Sequence, residues 1–146
     1  MSTTDEQSVS DWVDGWGAEV AAVDLTAGKR RFIDDVVAFG TFADVVVGLD
    51  RLHAQQWSQV WPKIEDFRFL TDDMEVQLSP DRLMAVAIVG WASVGIAADG
   101  SRFPRPGRAT VVLRRDEINT SWLGMHTHFS LGRGVPQSSY GSRPVR

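Results

Sequence analysis

The chain has 146 residues, the length of one ordinary domain, and its 15 Lys and Arg against 19 Asp and Glu give a net charge of −4. It contains no Cys, which excludes disulfides, thiol nucleophiles and Cys-ligated zinc. The mildly acidic charge argues against binding to a phosphate backbone, so no nucleic-acid partner is predicted. The longest uncharged run, residues 83–98, is shorter than the ~20 residues that a membrane-spanning helix needs. With a polar N-terminus that lacks a signal-peptide pattern, the chain is predicted to be cytoplasmic and to avoid membranes.

The first half of the chain has the periodicity of helices. Apolar residues spaced i, i+3, i+4 and i+7 predict a first helix, and they are Val9, Trp12, Val13, Trp16, Val20 and Val23. Asp24 is the predicted N-cap of a short second helix. A third helix is predicted over residues 49–61, ending at Pro62 because proline lacks the backbone donor that a helix needs. Short strands are predicted at 36–39 and 44–47.

The second half predicts an antiparallel sheet. Its strands cover residues 67–70, 74–78, 83–97, 109–115 and 122–131, with a hairpin turn at Asp99-Gly100. Helices followed by strands indicate an α+β fold in which the helices pack on one face of a curved sheet. A single domain is therefore predicted over residues 1–131. Residues 132–146 lack periodicity and are predicted to form a tail that is flexible or draped over a neighbour.

The long strand over residues 83–98 predicts a partner subunit. In a sheet with one solvent-exposed face, the strands alternate apolar and polar residues, but residues 83–98 scarcely alternate. The helices can cover only one face of the sheet. A second copy covering the outer face is therefore predicted, which would make the protein a homodimer.

Three stretches of the sequence are similar to a known protein family: FIDDVVAFGT at residues 32–41, GLDRL at 48–52 and WLGMHTHFS at 122–130. They resemble the SnoaL-like members of the NTF2-like superfamily, which includes ketosteroid isomerases and polyketide cyclases. The W-x-x-x-H-x-H pattern of Trp122, His126 and His128 is also similar to the association domain of calcium/calmodulin-dependent protein kinase II. The resemblance implies an NTF2-like cone: a strongly curved antiparallel sheet wrapped around three N-terminal helices, with a pocket at the wide end and dimerisation through the outer sheet face.

The catalytic residues known in the resembled families are not found at the matching positions of this chain. The carboxylate of ketosteroid isomerases would fall near Phe39 and Gly40, and the single Tyr is Tyr140, in the predicted tail. The pocket arginines of the association domain would fall on Ser93, Thr110 and Phe129. The reaction, if there is one, stays open between isomerisation, cyclisation and hydration by acid–base chemistry. The alternative function is a non-catalytic association module.

Six Trp residues favour an aromatic-lined pocket for a small, mostly apolar ligand, or else simple core packing. The predicted ligand-binding residues are Trp16, His53, Trp57, Trp91, Ser93, Thr110, Thr127 and Phe129. His53, on the apolar face of the third helix, is a candidate general base or a structural histidine. Asp44 is a second candidate, because its segment borders the pocket in the resembling family.

Two further groups of side chains have alternative interpretations. His126 and His128 share one strand face, but zinc usually has three or four protein ligands, so neither a metal nor a cofactor is predicted. The family resemblance implies that the pair lies on the outer side of the sheet. Arg102, Arg105 and Arg108 form a basic stretch that is interpreted as a solvated loop or, alternatively, an anion-binding rim.

Overall fold

The computed structural model describes residues 4–146. Its helices are α1 (Asp5–Ala22), α2 (Leu25–Lys29) and a third helix made of α-helical Leu49–Leu52, a π turn at His53–Trp57 and α-helical Ser58–Val60. Short 3-10 turns lie at Trp61–Lys63 and Thr71–Asp73. The strands are β1 (Phe32–Phe39), β2 (Val46–Val47), β3 (Glu65–Phe69), β4 (Glu75–Leu78), β5 (Met84–Ile96), β6 (Arg102–Pro104), β7 (Gly107–Arg114) and β8 (Leu123–Leu131).

The two N-terminal helices begin with side-chain caps. The Gln7 amide donates to the Thr4 hydroxyl at the start of α1, and the Ala27 amide donates to the predicted cap Asp24 at the start of α2. Helix α1 ends at Ala22, and the residue that caps it, Val23, adopts the left-handed conformation. The predicted apolar stripe of α1 is buried, so this helix lies against the sheet as expected.

The eight strands form one curved sheet with the order β2-β1-β8-β7-β5-β3, and β4 and β6 pair with β5. The α+β cone expected from the sequence is therefore confirmed. One pair differs from the antiparallel prediction, because β1 and β8 run parallel. No hairpin turn could indicate this pairing, since the two strands lie at opposite ends of the chain. Gly124 permits it: a Cβ there would lie 2.4 Å from the Phe32 ring.

The concave face of the sheet and the helices enclose the core. Odd-numbered residues of β5 and β7 point inward, including Ala87, Val89 and Trp91 on β5. The even-numbered residues of β5 are only partly covered, and Ile88 retains 44% of its exposure. The burial of this strand thus alternates although its sequence does not. The outer side of β5 is apolar and only partly covered in the single chain, and the homodimer stays a prediction.

The C-terminal segment runs back along the body of the domain. The Tyr140 amide donates to the Ile96 carbonyl, and the Arg143 guanidinium donates to the carbonyls of Ala21 and Trp61. These contacts give residues 137–143 a defined path, while the flexibility expected for 132–146 stays a prediction. Within residues 4–146, no helix combines the length and apolar character needed to cross a bilayer.

Candidate functional site

An inner cavity of about 40 Å³ lies between the third helix and the concave face of the sheet. Its walls are mostly aromatic. The Trp16 ring centroid is 5.5 Å from that of Phe129 and 6.2 Å from that of Trp57, and Trp91 is 6.3 Å from Phe129. Five of the predicted ligand-binding residues therefore meet at this cavity: Trp16, Trp57, Trp91, Thr127 and Phe129.

Three buried donors around this cavity have no acceptor among the described residues. They are the indole N–H groups of Trp16 and Trp91 and the Nε of Arg105. Buried indole N–H groups usually find a partner. A fourth unpartnered donor, Arg143 Nε, is not part of the cavity wall. The cavity thus has apolar walls and an excess of hydrogen-bond donors.

Arg105 is the cationic residue of the inner wall. It lies between β6 and β7, and its side chain follows the inward alternation of Gly107 and Ala109. Its backbone amide donates to the Ser93 carbonyl, and the Ser93 hydroxyl donates to the Arg105 carbonyl at 2.6 Å. Only 3% of Arg105 is exposed, so the solvated-loop interpretation is wrong for this residue. Burial lowers the pKa of the Arg105 guanidinium from its ordinary value, because desolvation disfavours the charge.

An outer vestibule of about 300 Å³ adjoins the inner cavity. The two spaces share Thr41, Val60, Ile64 and Arg105 as wall residues. Residues 137–141 of the C-terminal segment form the other side of the vestibule. The Arg105 guanidinium donates to the Gln137 carbonyl at 2.8 Å, which joins this segment to the inner wall.

The π turn holds the loop at the mouth of the cavity. Gln56 lies in this turn, and its side-chain oxygen accepts hydrogen bonds from the amides of Phe42 and Ala43. Gly40 packs closely against it, since a Cβ at Gly40 would lie 2.6 Å from Gln56 Nε2. The sequence predicted a regular helix here. Such π turns are rare and often occur at functional sites.

Four predicted site residues lie away from the inner cavity. His53 is half-buried near Lys29 and Asp50, and burial followed by the charge of Lys29 lowers its pKa. Asp44 is exposed in a separate surface depression. Thr110 is on the outer sheet face, and Ser93 supports Arg105 instead of lining the cavity. The prediction for His53 assumed regular helical spacing, which the π turn interrupts, so Leu52 lines the cavity instead.

The two histidines of β8 lie on the outer face of the sheet. In the register of β7 and β8, His126 pairs with Val112 and His128 pairs with Thr110. The His126 Nδ1–H donates to the Val37 carbonyl at 2.7 Å, and the His128 ring centroid is 4.2 Å from that of Phe39. Over residues 4–146, no cluster of three or more His, Asp or Glu side chains has a metal-binding arrangement.

The curved sheet wrapped around N-terminal helices, with a cavity on its concave side, defines a protein of the NTF2-like class. The chain belongs to the SnoaL-like family, whose domain model matches residues 9–134. The resemblance inferred from the sequence is therefore confirmed. No curated protein matches the chain.

Solved structures share this fold at low sequence identity. The S. rosetta CaMKII hub superposes with a TM-score of 0.73 at 20% identity, covering 90% of this chain and 100% of that chain. An NTF2-like superfamily protein from Salmonella enterica gives 0.71 at 18%, covering 89% and 95%. A ketosteroid isomerase-like protein from Erwinia carotovora gives 0.68 at 18%, covering 84% and 91%. At such identities the likeness establishes the fold alone.

Proposed function

We propose that the protein binds a small, mostly apolar molecule in the inner cavity and its vestibule. The observation that carries this proposal is the cluster of aromatic side chains around a space that is not closed by packing. The inner cavity of about 40 Å³ holds little more than water molecules. The adjoining vestibule of about 300 Å³ is at the lower end of ordinary ligand pockets, which span roughly 300–1,000 Å³. A ligand would place one small apolar end inside and its body in the vestibule.

Binding is favoured over acid–base catalysis at this site. Among the described wall residues of the cavity and vestibule there is no Asp, Glu or His. A general acid or base must come within hydrogen-bond reach of the proton that it transfers. His53 and Asp44 lie outside both spaces, so catalytic roles for them stay predictions that this geometry does not support.

Native mass spectrometry of freshly purified protein tests the binding proposal. We expect a reproducible small-molecule adduct, whose mass would begin the identification of the ligand. Trp91→Phe should lower the occupancy of this adduct, because the smaller ring leaves part of the cavity wall unfilled and carries no N–H donor. Trp12→Phe is the matched control, since Trp12 is buried outside the cavity and donates to the Trp122 carbonyl. Equal occupancy in both variants would contradict the proposed location.

A second candidate function is assembly through the outer sheet face. Exposed apolar side chains occur along this face, including Val37, Met84 and Ile88. A contiguous apolar patch on a monomer often marks a protein interface. We propose a homodimer formed by this face. A sedimentation coefficient of a monomer at micromolar concentration would contradict it.

A further inference from the structure

The two buried arginines of the sheet differ in their partners. Arg115 and Arg105 lie at opposite ends of β7, and both follow its inward alternation. Arg115 donates to the Asp5 carboxylate at 2.9 Å and lies 4.0 Å from the Trp122 ring centroid. Arg105 is equally buried, but no carboxylate pairs with it among residues 4–146. The domain therefore neutralises one buried cation and leaves the other at the cavity without a counter-charge.

The other unpartnered polar groups of the site also lack a hydrogen-bond acceptor. Arg105 Nε and the indole N–H groups of Trp16 and Trp91 are all donors, so what they lack is an acceptor. The vestibule adds Lys63 and contributes no acidic side chain. A buried charge without a partner is costly, and an anion that pairs with it bidentately removes that cost. A guanidinium is also the side chain best suited to the planar geometry of a carboxylate.

We propose that Arg105 binds a carboxylate of the ligand, so that the site takes small carboxylic acids with an aromatic or other apolar body. The proposal rests on the binding function proposed above and narrows its ligand class. Arg105 lies in the wall common to both spaces, so it can reach a ligand whose apolar end points toward Trp91. The bond from Arg105 to the Gln137 carbonyl would be kept or exchanged as the carboxylate enters.

The test compares acids with their neutral amides. The probes are benzoate, phenylacetate and 2-naphthoate, each matched with its amide, and calorimetry measures the dissociation constants. We expect at least one acid to bind about tenfold or more tightly than its amide, since charge-assisted hydrogen bonds are the stronger ones. Arg105→Met should remove this preference and retain binding of the amide. Arg108→Gln, an exposed arginine of the same segment outside both spaces, should keep the preference.

The outcomes separate the two proposals. Equal binding of acid and amide by the wild-type protein would overturn the carboxylate proposal and leave the pocket standing. Failure of all six probes to bind would overturn the carboxylate proposal, while the native mass-spectrometric adduct decides the binding function separately. A preference that survives in Arg105→Met but disappears in Lys63→Gln would show that the vestibule lysine, not Arg105, holds the anion.

A second measurement avoids the risk that Arg105→Met fails to fold. The Nε–H resonance of Arg105 in the wild-type protein, assigned by through-bond correlation with its own backbone, should shift when the tightest-binding acid is added. The matched amide should leave it in place. An unmoved resonance at saturating acid would overturn the proposal without any destabilising substitution.

Discussion

Asp5 gives the sharpest test of the electrostatics of this fold. Its carboxylate accepts hydrogen bonds from Arg82 and Arg115, and these bonds lower the pKa of Asp5 from 3.8 to about 2. The Asp5 side chain is 10% exposed, and that of Arg115 is 3% exposed. A pKa that is lower in the folded state contributes stability above the unfolded pKa, and this stability is lost as the pH falls through the folded value. The pKa difference corresponds to about 2 kcal/mol, lost between about pH 4 and pH 2.

Asp5→Asn removes this contribution and leaves Arg115 without its anionic partner. Breaking a buried pair costs about 3–5 kcal/mol, but Arg115 keeps its contacts with Trp122 and the Arg82 carbonyl. We therefore expect a loss of about 2–3 kcal/mol in the free energy of unfolding at pH 7, which lowers the Tm by roughly 5–10 °C. Urea unfolding of wild type and variant at pH 7, 5, 3 and 2 measures this difference in the free energy of unfolding. Wild type and variant should converge toward pH 2.

Asp11→Asn is the matched control for Asp5→Asn. Asp11 lies on the same helix, is exposed and accepts one hydrogen bond from Gln7. Its substitution should change the free energy of unfolding by less than about 0.5 kcal/mol. The reasoning fails if Asp5→Asn is as stable as wild type at pH 7, or if both lose the same stability between pH 5 and pH 2.

Three further predictions concern the packing, the interface and the site. Gly107→Ala should cost about 1–3 kcal/mol in urea unfolding, because its Cβ would lie 2.3 Å from the Trp91 ring, whereas Gly90→Ala meets only ordinary contacts and should cost less. Ile88→Lys should convert a sedimenting dimer into a monomer with an unchanged circular dichroism spectrum, and a variant that remains dimeric would rule out this face. His53→Ala should leave the affinity for the tightest-binding acid of the amide comparison unchanged, since His53 is outside both spaces; a loss of fivefold or more would return it to the site.

Local signals in the sequence predicted most elements of the fold. The apolar stripe from Val9 to Val23 and the cap at Asp24 depend only on neighbouring residues, and both are confirmed. The inward position of Trp16 follows from the same periodicity. The pattern of residues 83–98 scarcely alternates, so it could not assign Trp91 to one face of the sheet. The parallel pairing of β1 with β8 depends on contacts between chain ends, which no local pattern encodes.

The candidate site was predicted less completely because its geometry departs from regular periodicity. The π turn inserts an additional residue into one turn of the third helix, so spacing rules assigned His53 to the cavity in place of Leu52. The Pro residues around Arg105 suggested an exposed loop. Extending the alternation of β7 backwards through Gly107 would have placed Arg105 inside.

The two inward arginines of the sheet differ in how their charge is neutralised. Each guanidinium is removed from water, and a carboxylate is the natural partner for both. At Arg115 that carboxylate comes from Asp5, on a helix packed against the same end of the sheet, so the pair is complete within the chain. At Arg105 the facing groups are the cavity and the Gln137 carbonyl, which carries no net charge. A carboxylic acid that enters the cavity would complete this second pair. The free energy of unfolding of the protein should then rise with the concentration of the acid, because the acid binds only the folded state.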